Sequence, residues 1–463
     1  TVPYRTEANR DLGFQVRVDN MRIQDALRFS PALAESPLKI WKPYYEMPYH
    51  IVKPKKVLVL GAGGGNDVVI ALKNGAEEVH AVEIDPVIAE MGRTTHPELP
   101  YQSDKVTAFV DDARAYISST DQTYDLIVMS ALDSHKQVAG MSSLRLESFV
   151  YTVESFRQIQ KLLNPGGTFV MNLTSGRPWM GPRTYWSLNE AFGSPPAVLS
   201  TEGAPYASVA YVYTPEETLH AALNKPNTPL GRVIHEYAPR SEVRLSTDNW
   251  PHLYLESNRA PMVVVVVLSV MIFAAIVIVM LVAPNVRRPN LHFFFLGAGF
   301  MLLETRSITQ MAQLFGSTWS INALVFGAIL VTILVTNHMV LRERMPPLWL
   351  SYALLFASLV GGYFFSFDVL LSLGFVARIA TASLIIGLPI AWASFIFSHS
   401  FRSVTDVPRA FGSNLLGVVV GGATEYMSMI WGLDILYAVA LIFYLGSLVF
   451  LTRSGGGSSP APA

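Results

Sequence analysis

Residues 262–283 constrain this chain more than any other stretch: 22 consecutive positions carry no charged side chain. At about 1.5 Å per residue, a helix of that length crosses a hydrocarbon layer of roughly 30 Å. Apolar runs recur at about 291–315, 319–340, 348–367, 370–398, 411–431 and 435–452, so the chain reads as having about seven spans. No lysine follows Lys225, and only six acidic residues lie beyond Pro261. The first 255 residues are instead polar and punctuated by glycine and proline, as in a soluble domain. Four segments are therefore expected: an N-terminal extension with short β-strands (1–50), a soluble α/β domain (51–255), a helical membrane domain (256–453) and a disordered tail (454–463). Residues 246–261 read as the hinge, with Trp250 and Tyr254 as interfacial anchors. The chain opens at Thr1 in mid-pattern, as a piece of a longer protein would.

The polar half alternates strands and helices. "KKVLVL" (55–60) is a continuous apolar run, as in a parallel strand covered on both faces. "GAGGGNDVVIALKNGA" (61–76) is a glycine turn opening a helix, "EVHAVEID" (78–85) and "KVTAFVDD" (105–112) are strands that end in acids, and "YDLIVMS" (124–130) is a fourth. A helix over about 148–163 meets "NPGG" (164–167), a stop-and-turn signal, before the strand "TFVMNL" (168–173). This spacing predicts a doubly wound, Rossmann-like α/β sheet, whose ligands sit beyond the carboxyl ends of its strands.

Polar clusters fall at those ends. Gly61, Gly63 and Gly65, with Ala62 between them, let the backbone approach a ligand closely. Glu83 lies 22 residues after Gly61, where a carboxylate accepts both ribose hydroxyl protons, and Ile84 follows it. Asp112 closes the third strand, suitably placed for an adenine amino group. The dinucleotide fingerprint G-x-G-x-x-G fails, because its third glycine falls at Asn66; G-x-G-x-G fits, and favours an adenosyl-sulfonium donor over NAD. A tight turn with no ligand is the plainer reading of the glycines alone, and the two acids argue against it. Beyond the fourth strand, Ser130, Asp133 and His135 form the remaining polar edge. Asp133 suits binding or deprotonating an amine, although it can equally cap a loop. His135, ordinarily titrating near pH ~6.5, suits a hydroxyl or amine acceptor, although it can equally be an exposed loop histidine. Arg145 and Glu147 read as acceptor contacts or a surface pair; Tyr44, Tyr45 and Tyr49 read as acceptor-pocket wall or core.

A net charge of −1, with no basic patch interleaved with aromatics, gives no reason to expect nucleic acid. The lack of cysteine excludes disulfides and thiolate metal sites, and no HExxH occurs, so no metal is expected; G-x-S-x-G is absent too, which leaves a hydrolase elbow without support.

Residues from roughly 40 to 175 resemble the spermidine synthase (polyamine aminopropyltransferase) family, a branch of the class I methyltransferase fold. The matching pieces are "VLVLGAGGGNDV", "AVEIDPVI", "VDDARAYI", "YDLIV" and "YTVESFRQIQKLLNPGG". With "GAGFMLLETRSITQ" (297–310) and "NLLGVVVGGATEYMSMIWG" (414–432), the chain resembles the membrane-bound, spermidine synthase-like proteins of bacteria. The resemblance implies S-adenosylmethionine or its decarboxylated form as donor, Glu83 on the ribose, and Asp112 and Ala113 lining the adenine. The family holds the donor's amine with a glycine-loop acid, here Gly64, and deprotonates the acceptor with a strand-end acid, here Ser130. Its second strand-end acid matches as Asp133, and Asp67 stands in the helix's first turn, where it can replace the loop acid. Asp133 and His135 are thus the expected catalytic pair.

In the membrane half, Glu304, Arg306, Arg378 and Glu425 lie inside apolar runs, where each ionisable group costs ~2.5–3.5 kcal/mol on insertion scales. Glu304 or Glu425 is expected to pair with an arginine and lock the bundle; the other reading is a polar cavity for an amphiphilic acceptor or a small cation. With seven crossings, Arg287/Arg288, Arg342/Arg344 and Arg402/Arg409 fall opposite the soluble domain, which the positive-inside rule would place outside. A donor made in the cytosol argues for the inside, and a failed crossing at 291–315 would reconcile the two. The expected partners are a small amine or lipid-like acceptor, the bilayer of a bacterial inner membrane and, if the chain self-associates, a homo-oligomer. The expected function is membrane-anchored aminopropyl transfer. Methyl transfer, or a transporter or assembly protein with a nucleotide-sensing domain, are the alternatives.

Overall fold

The computed structural model describes residues 2–5, 11–18, 21–130, 132, 148–173, 177–201, 209–233, 237–282, 289–316, 318–344, 346–371 and 373–455. The chain divides into two compact units, Thr1–Tyr254 and Leu255–Ala463.

The first unit opens with a three-stranded antiparallel sheet: β1 (Val2–Arg5), β2 (Asp11–Val18) and β3 (Met21–Leu27). A short α1 (Pro31–Ala34) and the longer α2 (Trp41–Ile51) follow. Strands β4 (Lys56–Leu60), β5 (Glu78–Glu83), β6 (Val106–Val110), β7 (Tyr124–Met129) and β8 (Leu163–Leu173) alternate with α3 (Asn66–Lys73), α4 (Pro86–Thr94), α5 (Ala113–Ser119) and α6 (Val153–Lys161). Next come α7 (Met180–Phe192), β9 (Ala197–Thr201), β10 (Val209–Tyr213), α8 (Glu216–Leu223) and β11 (Leu230–Arg232). The main sheet runs β11-β9-β10-β8-β7-β4-β5-β6, parallel from β8 to β6 and antiparallel beyond β8. This is the expected doubly wound fold, with its switch point between β4 and β7.

Local chemistry explains the element starts. Asp85 caps α4, its Oδ1 accepting from Val87 N at 2.8 Å, and Pro86 supplies a pre-set φ at the first helical position. Thr152 Oγ1 caps α6 through Ser155 N. The parallel strands are apolar on both faces because helices cover both. Val57, Val59, Val128 and Val170 pack under α2 and α3, whereas Leu58, Leu60, Ile127 and Phe169 pack under α6 and α7. Two expectations need correction. "NPGG" does not separate helix from strand as a turn of its own, because β8 begins at Leu163 and absorbs the turn as an irregularity against Tyr124, with Gly166 at φ 79°. Nor is Trp250 a membrane anchor: it is 2% exposed inside this unit, with the guanidiniums of Arg183 and Arg244 at 4.9 and 4.2 Å from its ring.

The second unit is helical: α9 (Met262–Val282), α10 (Leu291–Phe315), α11 (Trp319–Leu341), α12 (Leu348–Phe364), α13 (Asp368–Leu371), α14 (Phe375–Arg402), α15 (Val407–Thr424), α16 (Ser428–Trp431) and α17 (Ile435–Gly455). Among the described residues, three stretches are long and apolar enough to cross a membrane: Met262–Leu281, Ala323–Leu341 and Val376–Arg402. Helix α10, interrupted by Glu304 and Arg306, is instead the core of the unit, packed on α11, α14, α15 and α17. It meets α15 almost backbone to backbone: a Cβ on Gly417 would lie 1.9 Å from the Phe294 carbonyl oxygen, and one on Gly421 2.4 Å from that of Ala298. The expected run 411–431 is split, since α15 gives way to a 3₁₀ turn at Glu425–Met427 before α16.

The arginine pairing also differs from expectation. Arg306 Nη2 binds Asp434 Oδ1 at 2.8 Å, with its guanidinium 5.5 Å from the Tyr437 ring. Glu425 receives the Thr305 hydroxyl at 3.3 Å, and Arg378 binds the carbonyls of Leu371 and Leu373. The helix break at Gly432 before α17 brings Asp434 to Arg306, a long-range pairing that helix periodicity does not encode.

Candidate active site

At the carboxyl edge of the sheet, the turn from β4 into α3 holds three glycines in the left-handed region: Gly61 (φ 72°), Gly63 (φ 55°) and Gly65 (φ 107°). Close approach explains the residue type as well. A Cβ on Gly61 would sit 2.1 Å from Leu132 Cδ2, and one on Gly63 2.3 Å from Gln24 Oε1. Three groups fix the loop from outside. Glu83 Oε2 accepts from Gly63 N at 2.8 Å, Tyr101 donates its hydroxyl to Gly63 O at 2.6 Å, and Gln24 Oε1 accepts from Gly64 N at 2.8 Å. Ala62, between the first two glycines, is fully buried.

Glu83 ends β5 and is 9% exposed. Its other oxygen accepts from Asp85 N at 2.9 Å. Burial raises its pKa above the usual glutamate value, and the Asp85 and Gly63 amides offset part of that rise. Each oxygen retains lone-pair capacity beyond the backbone bond, so the carboxylate can hold the loop and still accept from a diol. Ile84, next in sequence, is 47% exposed and offers an apolar surface at the strand end. Asp112 caps α5, its Oδ1 accepting from Arg114 N at 2.8 Å and Ala115 N at 3.4 Å, and Ala113 opens that helix. Asp112 N in turn donates to Asp111 Oδ1.

Asn66, which breaks the dinucleotide fingerprint, is a fully buried joint between the loop and the N-terminal sheet. Its Nδ2 donates to Asp25 O and Tyr45 OH, and its Oδ1 accepts from Leu27 N. His96 Nε2 lies 3.2 Å from the same Oδ1, while His96 Nδ1 accepts from Glu98 N. Burial lowers the His96 pKa to about 4, so the ring is neutral and Nε2 carries the proton. Glycine at 66 would lose every one of these bonds.

Asp67, in the first turn of α3, is 4% exposed, and its Oδ2 accepts from Ser130 Oγ at 2.8 Å. Burial pushes its pKa up to about 7 against the pull of the Ser130 hydrogen bond. Tyr44, Tyr45 and Tyr49 on α2 are buried in the same core, which places them in the wall behind Asp67.

The structure therefore gathers Gly61, Ala62, Gly63, Gly65, Asp67, Glu83, Ile84, Asp112, Ala113 and Ser130 along one sheet edge. Asp133, His135, Arg145 and Glu147 lie outside the described residues. Sequence reasoning missed Gln24, Tyr101 and the joint at Asn66. The first two reach the loop from 40 and 38 residues away, with no local pattern to announce them. Among the described residues, no group of three or more acids and histidines is placed to hold a metal.

Residues 43–192 match the profile of the spermine/spermidine synthase domain. A polyamine aminopropyltransferase 2 from Hyperthermus butylicus is 31% identical over 164 residues, 35% of this chain and 50% of that protein. Polyamine aminopropyltransferase 2 from Bacillus anthracis is 31% identical over 145 residues, 30% of this chain and 37% of that protein. A polyamine aminopropyltransferase from Korarchaeum cryptofilum is 29% identical over 120 residues, 25% and 35% of the two chains. The chain thus spans half or less of the length of these curated relatives. A solved spermidine synthase from Thermotoga maritima superposes with a TM-score of 0.34 at 17% identity over 46% of this chain and 71% of that one, a likeness too slight to add to the sequence match.

Proposed function

We propose that this chain, whose residues 43–192 match the spermine/spermidine synthase domain, is a membrane-anchored transferase that moves an aminopropyl group from decarboxylated S-adenosylmethionine to an amine. The observation that carries the reading is the Glu83 carboxylate, fixed 2.8 Å from Gly63 N beside the glycine loop. There it is set to accept the ribose hydroxyls, while Ile84, Asp112 and Ala113 receive the adenine. The sulfonium is a good leaving group when bound, so the protein's task is alignment, a contribution that reaches ~7–11 kcal/mol in ideal cases. Three apolar stretches long enough to cross a bilayer support the anchoring, with the transferase unit on the cytosolic side where the donor is made.

Methyl transfer from S-adenosylmethionine is the second reading, favoured by Gly64. A side chain at 64 would project towards Gln24 Oε1, 3.6 Å from the would-be Cβ, so the loop presents an amide where the resembled family has a carboxylate. Incubating the full chain with each donor and a panel of linear diamines separates the two. Methylthioadenosine with an aminopropylated amine supports the first reading, S-adenosylhomocysteine with a methylated product supports the second, and neither product overturns both.

A further inference from the structure

The parallel register pairs Met129 with Met171, which sets Ser130 beside Asn172 at the ends of β7 and β8. By strand alternation, both residues share the face of Val128 and Val170, the face covered by α2 and α3. Helix α3 brings Asp67 to this point, and α2 brings Tyr44, Tyr45 and Tyr49. On the far side of Asn172 from Ser130 a small cavity is lined by Tyr44, Met47, Leu199, Thr201 and Ala210 together with Asn172. Asn172 is 4% exposed, and its Nδ2 has no hydrogen-bond partner among the described residues. The edge thus holds a buried acid–hydroxyl pair and a buried amide left to contact something else.

We propose that Asp67 and Ser130 form the acceptor-ammonium subsite, in which Asp67 is the proton acceptor and is reached through the Ser130 hydroxyl. The inference rests on the transferase reading. Its basis is a direction: Ser130 Oγ donates to Asp67 Oδ2, so the capacity left on Oγ is that of an acceptor, and an acceptor backed by a carboxylate selects N–H of a primary ammonium. The resembled family places its base on the strand end itself; here the acid comes from α3 and crosses to the strand-end serine. As the ammonium passes a proton to Oγ, the serine passes its own to Asp67, leaving a neutral amine. The nitrogen lone pair then forms the C–N bond at the carbon attached to the sulfonium. The C–S bond breaks with its electron pair going to sulfur, which becomes a neutral thioether. The product leaves as a secondary ammonium, and the Asp67 proton returns to solvent.

The groups facing Asp67 are the phenols of Tyr44, Tyr45 and Tyr49 from α2, Tyr101 from the segment after α4, and Ser130 from β7. Burial raises its pKa, and the Ser130 and backbone hydrogen bonds oppose that rise. With a pKa of about 7 the carboxyl is matched to proton transfer at neutral pH.

The test uses the full chain in detergent or nanodiscs, decarboxylated S-adenosylmethionine and 1,4-diaminobutane or longer linear diamines, with methylthioadenosine release followed across the neutral range. Asp67→Asn should lower kcat by about 10²–10⁴-fold and abolish the acidic limb of the pH profile, with donor affinity by calorimetry unchanged. Ser130→Ala should raise KM for the diamine and weaken the same limb, and it carries the test if Asp67→Asn fails to fold. Adding Ser130→Asp to Asp67→Asn should restore turnover, with the limb moved to lower pH. A native kcat and pH limb in Asp67→Asn, or in Ser130→Ala where the former does not fold, overturns the proposal. So does donor binding without turnover of any amine. Absent donor binding by the native chain overturns the transferase reading instead.

Discussion

Replacing Glu83 by glutamine changes one charge and almost no volume, yet it acts on two structures at once. The carboxylate accepts from Gly63 N at 2.8 Å and from Asp85 N at 2.9 Å, one bond on each oxygen. An amide keeps one oxygen, so one of those N–H groups must face an NH₂. A buried donor left unpaired costs about 1–3 kcal/mol, and Glu83 is only 9% exposed. The loop therefore loosens at Gly63 or at the start of α4. For the donor the loss is separate. Hydrogen bonds from ribose hydroxyls to a charged acceptor contribute about 1.5–3 kcal/mol, and one of the two cannot form to the amide. Titration calorimetry on the full chain should then show donor affinity falling by about 10–150-fold in Glu83→Gln, at about 1.4 kcal/mol per tenfold. Glu83→Asp, which keeps the charge on a shorter arm, should lose less. An unchanged affinity in Glu83→Gln would refute the assignment of Glu83 to the ribose and leave it as a loop clamp alone.

Asp67 makes stability depend on pH. Its pKa is raised from 3.8 to about 7, so the fold favours the protonated form, and that stability is present below pH ~4 and lost as pH rises through about 7. Asp67→Asn should accordingly gain denaturant resistance relative to the native chain between pH 5 and 8, by up to about 4 kcal/mol; equal shifts at both pH values would contradict the burial argument. Gly64→Asp, at a position where a Cβ meets only Gln24 Oε1 at 3.6 Å, should strengthen binding of the decarboxylated donor relative to S-adenosylmethionine by about 1.5–3 kcal/mol, read by paired titrations. In the helical unit, Gly417→Leu drives a side chain into the Phe294 carbonyl, 1.9 Å from its Cβ, and should abolish monodisperse elution in detergent while leaving the isolated α15 sequence helical. Arg306→Met leaves Asp434 without its cation and should cut the folded yield, whereas the double change with Asp434→Leu should recover it; no recovery would mean that the pair does more than lock α10 to α17.

Much of the sheet edge was legible because its determinants are local. Apolar runs such as "VLVL" and "LIVM", short, β-branched and bounded by glycine or polar residues, read as strands covered on both faces, and the acids after β5 and β6 mark their carboxyl ends. Asp85 and Asp112, read in the sequence as strand ends, cap the helices that follow. The apolar stretches of α9, α11 and α14 were legible for a similar reason, since hydropathy is summed over many residues. What escaped depends on contacts between distant residues. Gln24, Tyr101 and Asn66 act through bonds to the glycine loop or the N-terminal sheet, and no spacing rule joins residue 24 to residue 64. Strands β9 and β10 are five residues each, and the pairing of β10 with β8 and of β9 with β10 is a property of the sheet. Asp434 lies outside every apolar run, so its pairing with Arg306 had no signal in the sequence. Asp67 is the instructive case. Its place in the first turn of α3 suggested a substitute for the missing loop acid, whereas the hydrogen bond to Ser130 ties it to the strand end.

The most direct measurement is a titration of the full chain with decarboxylated S-adenosylmethionine, made in parallel on Glu83→Gln and on Gly63→Ala, whose Cβ would meet Gln24 Oε1 at 2.3 Å. Saturable one-to-one binding to the native chain, weakened in both variants, is the predicted result. Binding that is absent, or equal in all three proteins, would show that the glycine loop and Glu83 do not form a donor site.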